Sequence, residues 1–195
     1  AQADPRTVNR ELSALRSAVG WWQDQGWISG DPTAGLRHLP GQAAPVPALT
    51  GGQIAGLFRV QATLREHAFW RLLYDSGAHV DEVLGLDAWR LDLVHGTAPA
   101  VRQPRGSHWI RWRASTGELL GLLLAGRSAG PVFLTDRKAP ARAARADVCP
   151  FTGRARMSYR RAAEIFGTAT RPLDPAGRGW TLGQLRQAGL EARTG

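Results

Sequence analysis

The 195-residue sequence has few of the residues that mark several classes of protein. Cys149 is its single cysteine, which excludes a disulfide framework and a cysteine-based zinc site. No stretch reaches the roughly 20 apolar residues of a membrane helix, and no signal-peptide pattern opens the sequence. We therefore expect a cytoplasmic protein without a membrane partner. Lys138 is the single lysine, and Tyr74 and Tyr159 are the two tyrosines.

Positive charge, in contrast, is abundant. The sequence has 25 lysine and arginine residues against 16 aspartate and glutamate residues, for a net charge of +9. This balance favours a polyanionic partner, nucleic acid before membrane. Arginine suits phosphate because its planar fork meets two oxygens at once. A GC-rich genome explains the preference for arginine over lysine equally well, but the net charge favours an anionic partner in either case.

The first part of the sequence predicts a helix followed by a linker. Apolar residues recur at spacings of three and four on one face of a helix over residues 4–25: Val8, Leu12, Leu15, Val19 and Trp22. From residue 35 to residue 48, proline, glycine and alanine without periodicity indicate a linker. Thr50 and Gln53 then have capping-box spacing at the start of a second helix, and a third is predicted over residues 64–76.

The stretch from Leu72 to Leu86 predicts a helix, a tight turn at Ser76-Gly77 and another helix. It resembles the first active-site box of the tyrosine recombinases, or phage integrases, whose pattern is roughly L-L-Y-x-T-G-x-R-x-x-E-L-L-x-L. Glu82 matches the acidic residue of that box, with an ordinary exposed helix carboxylate as the alternative. His79 stands where the family has its first catalytic arginine.

A second resemblance lies near the end of the sequence, from Trp180 to Leu190. It is similar to the second box of the same family, H-x-L-R-H. Arg186 matches the second catalytic arginine of the family, while Gly183 and Gln187 occupy its two histidine positions. The further histidine or tryptophan and the nucleophilic tyrosine of the family lie beyond this box, and the 195 residues supply neither.

Between the boxes, residues 97–101 and 108–112 predict a β-hairpin around a turn at residues 103–106. The family carries its catalytic lysine on a hairpin here, and this hairpin has none. Its arginines at positions Arg102, Arg105 and Arg111 are candidate DNA contacts. Trp109 and Trp112 fall on opposite faces of an ideal strand, so one of them is expected in the core.

The remaining segments are apolar first and then strongly basic. The leucine-rich run over residues 116–125 predicts a wholly buried helix, and residues 132–135 predict an extended segment. Residues 137–161 form the densest cationic stretch, with a mobile loop in the first half and a helix over residues 156–166 whose inner face includes Tyr159. A solvated charged face is the alternative to DNA contact there. The candidate DNA contacts of this stretch are Arg154, Arg156, Arg160 and Arg161.

The resemblance implies a mainly α fold with a small β-hairpin or short antiparallel sheet, similar to the catalytic domain of a tyrosine recombinase. We expect three regions: the last part of an N-terminal core-binding domain (residues 1–34), the linker (35–48), and a catalytic-like domain that stops before the tyrosine (49–195). In the family, two arginines grip the scissile phosphate while a tyrosine attacks phosphorus, and a lysine and a histidine manage protons.

Three functions follow as hypotheses. The first is a DNA-binding member of this family, acting in DNA integration or recombination, that cannot cleave DNA by itself because it lacks the nucleophile. The second is a non-catalytic accessory protein that pairs with an intact recombinase. The third is another kind of enzyme built around His67, His79, His95 and His108, but no recognised metal-ligand spacing supports it. The expected partner is double-stranded DNA, with no cofactor, no metal and a monomer in solution.

Overall fold

The structure is a computed structural model, and it describes residues 5–39, 47–101 and 107–194. The chain divides into two compact units, residues 1–45 and residues 46–195. The unit boundary falls within the segment predicted as a linker. Arg102 and Arg105, two of the candidate DNA contacts, lie outside the described residues.

The first unit is built on helix α1 (Pro5–Asp24), against which the segment up to residue 39 folds back. The Asn9 side chain ties the two together, since its amide nitrogen donates to the Leu39 carbonyl at 2.9 Å and its oxygen accepts from the Leu39 amide at 2.8 Å. Leu12 and Val19 are buried as the helical pattern predicts. Leu15 is 42% exposed, contrary to that prediction, because this short returning segment covers only part of the helix.

The second unit is mainly helical, with two small antiparallel sheets. None of the helices within the described ranges has the length and apolar content needed to span a bilayer. In chain order, its helices and strands are α2 (Gly51–Leu57), α3 (Leu64–Ser76), α4 (Val80–Leu84), β1 (Thr97–Val101), β2 (Ser107–Arg111), α5 (Ala114–Leu124), β3 (Leu134–Lys138), β4 (Arg154–Arg156), α6 (Tyr159–Thr170) and α7 (Leu182–Thr194).

Local signals explain where α3 begins and ends. Thr63 caps the helix by accepting from the Glu66 amide, while the Glu66 carboxylate accepts from the Thr63 amide at 2.9 Å. At the other end Gly77 has a φ of +59°, and its amide donates to the Leu73 carbonyl at 3.0 Å. Glycine takes up this left-handed conformation without a Cβ clash. The predicted turn at Ser76-Gly77 is therefore present, and α4 starts just after it.

Helix α3 lies at the centre of the core. Phe69, Trp70 and Leu72 on this helix are at most 1% exposed. Phe133 meets the Phe69 ring edge-on at a centroid distance of 5.2 Å, and Phe166 meets Trp70 at 5.5 Å. Aromatic pairs in this geometry stabilise beyond the area that they bury. Helix α3 also packs against α5, α7 and β2, so it joins the segments before and after the hairpin.

Strands β1 and β2 form the predicted hairpin, with Thr97 opposite Arg111 and Ala98 opposite Ile110. The second strand runs one residue earlier than predicted, from Ser107 to Arg111. Trp112 is 8% exposed and Trp109 is 60% exposed, so one tryptophan packs in the core as expected.

Helix α5 is less buried than its leucine content predicts. Leu120 and Leu124 are buried, but Leu122 is 67% exposed. The helix packs against α3 with one face, and no second layer covers the opposite face in the described part of the chain. Its start is fixed by the buried Asp75 carboxylate, which accepts from the Arg113 amide at 3.1 Å and from the Thr116 hydroxyl at 2.7 Å.

The basic segment after α5 contains an antiparallel ribbon whose pairing the sequence did not predict. The sequence predicted an extended segment over residues 132–135, where β3 begins, and a loop in the first half of residues 137–161, where most of the residues between the strands are irregular. Strands β3 and β4 pair antiparallel, with Leu134 opposite Arg156 and Lys138 opposite Arg154. The Cys149 amide also donates to the Arg154 carbonyl at 2.9 Å. The two strand pairings link residues 22 and 16 positions apart, which local propensity does not reveal. Helix α6 then starts at Tyr159. The Tyr159 side chain is 51% exposed, so the prediction that it lies on the inner face of the helix is wrong.

Helix α7 packs against α3 with almost no space between the backbones. A Cβ atom added at Gly189 would lie 2.1 Å from the Tyr74 carbonyl oxygen, and one added at Gly77 would lie 2.7 Å from a Leu190 methyl carbon. Such separations are far below van der Waals contact, so glycine at position 189 allows this approach. The contact fixes the axial position of α7 beside the turn between α3 and α4.

We predict that Gly189→Ala lowers the free energy of unfolding by roughly 1–3 kcal/mol, because overpacking forces α7 away from α3. The matched control is Gly121→Ala on α5, where an added Cβ meets nothing within 4 Å. Alanine there should stabilise the protein by up to about 1 kcal/mol through helix propensity. Urea denaturation of both variants measures the difference. Equal stability of the two would contradict the close packing of α7.

Candidate functional site

The residues of the first box are held at the start of α4. His79 immediately precedes the helix, and its amide donates to the Glu82 carboxylate oxygen Oε2 at 2.7 Å. The Glu82 side chain is only 3% exposed. It is therefore a buried brace under His79, and the alternative of an exposed helix carboxylate does not hold. The other carboxylate oxygen, Oε1, is buried without a hydrogen-bond partner among the described residues.

Arg186 on α7 reaches this same position from the other end of the unit. Its Nη2 lies 3.5 Å from Nε2 of His79, although the two residues are 107 positions apart. A guanidinium has donors only, so the imidazole nitrogen must act as acceptor in this contact. The Arg186 Nε is buried without a partner within the described ranges. The structure thus brings the retained arginine of the second box against the histidine of the first.

A capping box at Thr181 and Gln184 fixes the start of helix α7. The Thr181 amide donates to the Gln184 side chain at 2.9 Å, and the Gln184 amide donates to the Thr181 hydroxyl at 3.2 Å. Leu182 and Leu185 are buried on the inner face. Because Arg186 follows Leu185 directly, it emerges beside that face and toward α4.

The two substituted positions of the second box lie on the same side of α7. Gly183 is exposed one turn before Arg186, and a Cβ added there would meet only the Thr181 hydroxyl, at 3.7 Å. That is ordinary contact, so packing does not require glycine at this position. Gln187 donates to the Glu191 carboxylate at 3.1 Å along its own helix. Neither residue contributes a proton-transfer group to the site.

His108 on β2 lies beside Glu82, although the sequence analysis named it only in the hypothesis of another kind of enzyme. Its Nε2 lies 3.6 Å from Oε2 of Glu82, and its side chain is 52% exposed. The hairpin was expected beside the site because of the lysine that the family carries there. The sequence analysis searched the hairpin for a lysine and did not consider the histidine on its second strand for that role. Because the family has a catalytic residue on this hairpin, any proton-transferring side chain there could have been treated as a candidate.

The exposed arginines that were expected to bind DNA lie on several elements. Arg161 pairs with Glu164 along α6 at 3.1 Å, and its side chain remains 47% exposed. Together with residues of β3 it borders an open depression of about 470 Å³ that also includes Arg137 and Lys138. The candidates whose side chains are exposed among the described residues are Arg111, Arg154, Arg160 and Arg161.

Arg156 differs from these candidates because protein groups occupy its guanidinium. It forms ion pairs with Asp87 at 2.8 Å and Asp147 at 2.7 Å, and it donates to the carbonyls of Leu84 and Leu86 at 3.0 and 3.2 Å. Burial opposes its charge, but the hydrogen bonds to the two aspartates outweigh burial and raise the Arg156 pKa. Arg156 therefore ties the ribbon to the end of α4, and we leave it out of the proposed DNA surface.

His67 and His95 have contacts away from this site. His67 meets the Trp70 ring edge-on at 5.8 Å, and His95 Nδ1 pairs with the Asp92 carboxylate at 2.7 Å. Among the residues that the structure describes, no three histidine, cysteine, aspartate or glutamate side chains are grouped to hold a metal ion.

Comparison with curated proteins identifies relatives of this arrangement. The chain is 33% identical over 145 residues to tyrosine recombinase XerC of Azotobacter vinelandii, an alignment that covers 63% of the chain and 48% of the relative. It is 36% identical over 97 residues to tyrosine recombinase XerD of Lacticaseibacillus casei, covering 47% of the chain and 32% of that protein. Both relatives are tyrosine recombinases, and the chain is similar in sequence to this family. It spans about half the length, or less, of these relatives.

Solved structures agree with the tyrosine-recombinase assignment at the level of the fold. The integrase of mycobacterium phage Brujita matches 98% of the chain and 59% of its own with a TM-score of 0.57, at 19% identity. The Tn1549 transposon integrase, solved in complex with a circular intermediate DNA, matches 97% of the chain and 67% of its own with a TM-score of 0.60, at 13% identity. No family model matches the sequence. The predicted resemblance to tyrosine recombinases and the predicted fold class are confirmed.

We predict that Arg156→Gln lowers the free energy of unfolding by about 2–4 kcal/mol, because it leaves two carboxylates and two carbonyls without their common donor. Arg160→Gln removes the same charge from an exposed position and should change stability by less than about 0.5 kcal/mol. Chemical denaturation of the two variants tests this difference. A fully stable Arg156→Gln protein would return this arginine to the candidate DNA contacts.

Proposed function

We propose that this chain binds duplex DNA as a member of the tyrosine recombinase family and acts in DNA integration or recombination. The observation that carries the proposal is the contact between Arg186 and His79, with Glu82 buried beneath them. Three positions from two distant boxes meet in one place, as a phosphate site requires. A cytoplasmic location follows from DNA as the partner.

Charge and the comparisons support DNA as the ligand. The chain carries a net charge of +9, and neutralisation of backbone phosphates supplies much of the affinity of DNA-binding proteins. The relatives are named for recombination, and the Tn1549 integrase was solved in complex with DNA. In our proposal Arg111, Arg154, Arg160 and Arg161 add contacts to the DNA backbone. Arg102 and Arg105, which lie outside the described residues, remain candidate contacts from the sequence alone.

The chemistry of the site favours holding a phosphate over cleaving it. Arg186 can offer a planar pair of donors to phosphate oxygens. His79 can turn only one ring N–H toward a given phosphate, and it lacks the length and the permanent charge of arginine. Loss of a positioned cation or oxyanion donor typically lowers a rate by about 10²–10³. The site therefore retains Arg186 as one of the two arginines that bind the scissile phosphate in the family.

A nucleophile is also missing from the site. Tyr74 packs on α3 with its ring 5.8 Å from Phe58, and Tyr159 is exposed in the first turn of α6. We infer that these 195 residues do not cleave or rejoin DNA by themselves. Retention of the phosphate grip without a nucleophile also favours the second hypothesis, an accessory protein that occupies a site beside an intact recombinase.

The binding proposal predicts a salt-dependent affinity that depends on Arg186. Titration of the chain with random-sequence duplex should give an affinity that falls by roughly 0.9 log unit per log unit of salt for each phosphate neutralised. Arg186→Gln should weaken binding by about tenfold, since a charge-assisted hydrogen bond is lost. The charge-matched control Arg59→Gln alters an exposed arginine between α2 and α3.

Equal loss in Arg186→Gln and Arg59→Gln would mean that only net charge matters and would reject the phosphate site. Absence of binding even at low salt would reject the function itself.

The catalytic part of the proposal predicts no covalent protein–DNA product. The chain should give no denaturant-resistant complex with a pool of random-sequence nicked duplexes, because a tyrosyl phosphodiester needs a nucleophile at the phosphate. The variant that combines His79→Arg with Gly183→His should also give none, which separates the missing nucleophile from the substituted partners. A covalent adduct that disappears in Tyr159→Phe or Tyr74→Phe would prove this part of the proposal wrong.

A further inference from the structure

The proposed phosphate site contains two imidazoles and little fixed positive charge. Arg186 contributes one positive charge and the buried Glu82 one negative charge, so the fixed charges of the site cancel. His79 and His108 each add one positive charge when protonated. The site is therefore near neutral when both rings are neutral and carries two positive charges when both are protonated. Its attraction for a phosphodiester depends on protons.

The geometry of His79 links the proton directly to the ligand. Nε2 of His79 accepts from Arg186 at 3.5 Å, and it can do so only while that nitrogen has no proton. Protonation at Nε2 removes the acceptor and leaves two cations facing each other. An anionic oxygen between them would relieve this repulsion and accept from both. Phosphate and proton should therefore favour each other's binding.

His108 supplies the second proton. Its Nε2 lies 3.6 Å from the Glu82 carboxylate, which can pair with the charged ring. Because the side chain is 52% exposed, the ring is accessible to a ligand as well as to solvent. Strand β2 pairs with β1, which has no titratable side chain. His108 is thus held at the edge of the site by the hairpin.

The other charged groups on elements packed against α4 have partners or lie on exposed faces. On α3, the Asp75 carboxylate caps α5. On α7, Arg193 donates to the Ser76 carbonyl. Helix α6 turns the apolar Ala162 and Phe166 inward. The charged residues left exposed on α4, α6 and β2 are Asp81, Arg160, Arg161, Glu164 and Arg111.

We propose that the Arg186 site binds a DNA phosphodiester together with protons, with His79 and His108 both protonated in the complex. This inference rests on the proposed DNA-binding function and adds to it: His108 becomes a phosphate-binding residue, and pH controls the affinity. Since the complex holds more protons than the free protein, affinity must fall as pH rises. Where both rings of the free protein are neutral, the logarithm of the affinity should fall by up to two units per pH unit.

The test is a duplex-binding titration at constant ionic strength from about pH 5.5 to about pH 8.5, the range in which histidine changes charge. The variants are His79→Gln, His108→Gln and the double variant, with His95→Gln as the control. His95 is exposed and pairs with Asp92 away from the site. Each site variant should lower the pH slope, and the double variant should bind with little pH dependence. The control should keep the slope of the original chain.

His79→Arg provides a test in the opposite direction. It replaces a titratable ring with a permanent cation, so affinity near the alkaline end of the range should rise by about tenfold. The pH slope should fall to that of His108 alone. Isothermal titration calorimetry of the unaltered chain in two buffers of different ionisation enthalpy gives the protons taken up on binding. This measurement uses only the unaltered chain, so its result does not depend on whether a variant folds.

The outcomes separate the two proposals. Three results would overturn the proton linkage and leave DNA binding intact. They are binding without pH dependence, an unchanged pH slope in the double variant, and no proton uptake in calorimetry. A slope lost equally in His95→Gln would also overturn it, because general charge would then be the cause. No binding at any pH would overturn the DNA-binding function, and with it this inference.

Discussion

The contact of Gly189 with the Tyr74 carbonyl is the constraint on which the site depends. It lets α7 approach α3 closer than any side chain at position 189 allows. Through this contact Arg186 comes within 3.5 Å of His79, a residue 107 positions earlier. The left-handed turn at Gly77, next to the same contact, sets the direction of α4. Close packing between backbones thus positions the polar groups of the site.

Glu82 is the second element that orders the site. A carboxylate that is 97% buried is costly unless it is paired, and its partners here are the His79 amide and the His108 ring. The buried charge holds the start of α4 in place. It also cancels the fixed charge of Arg186, so the sign of the site depends on the histidines. In a member of the family that retains the first arginine, the same carboxylate would leave a net positive site.

The sequence was informative where the signal was local and much less so where partners are distant. The cap at Thr50, the turn at Gly77 and the hairpin were predicted because each depends on neighbouring residues. The pairing of β3 with β4 was not predicted, since it and the contacts of Arg156 join distant segments. The same reason explains why the sequence did not place His108 beside Glu82. Arg186 and Glu82 could be singled out only by resemblance to the family, because neither spacing nor composition indicates that they share a site.

The most direct measurement of the central claim is NMR of the histidine rings and arginine side chains during addition of duplex DNA. If Arg186, His79 and His108 together hold a backbone phosphate, their side-chain resonances should shift first and furthest, while those of His67 and His95 stay nearly unchanged. Shifts confined to the arginines of the ribbon and of α6, with Arg186 and His79 unaffected, would contradict this account.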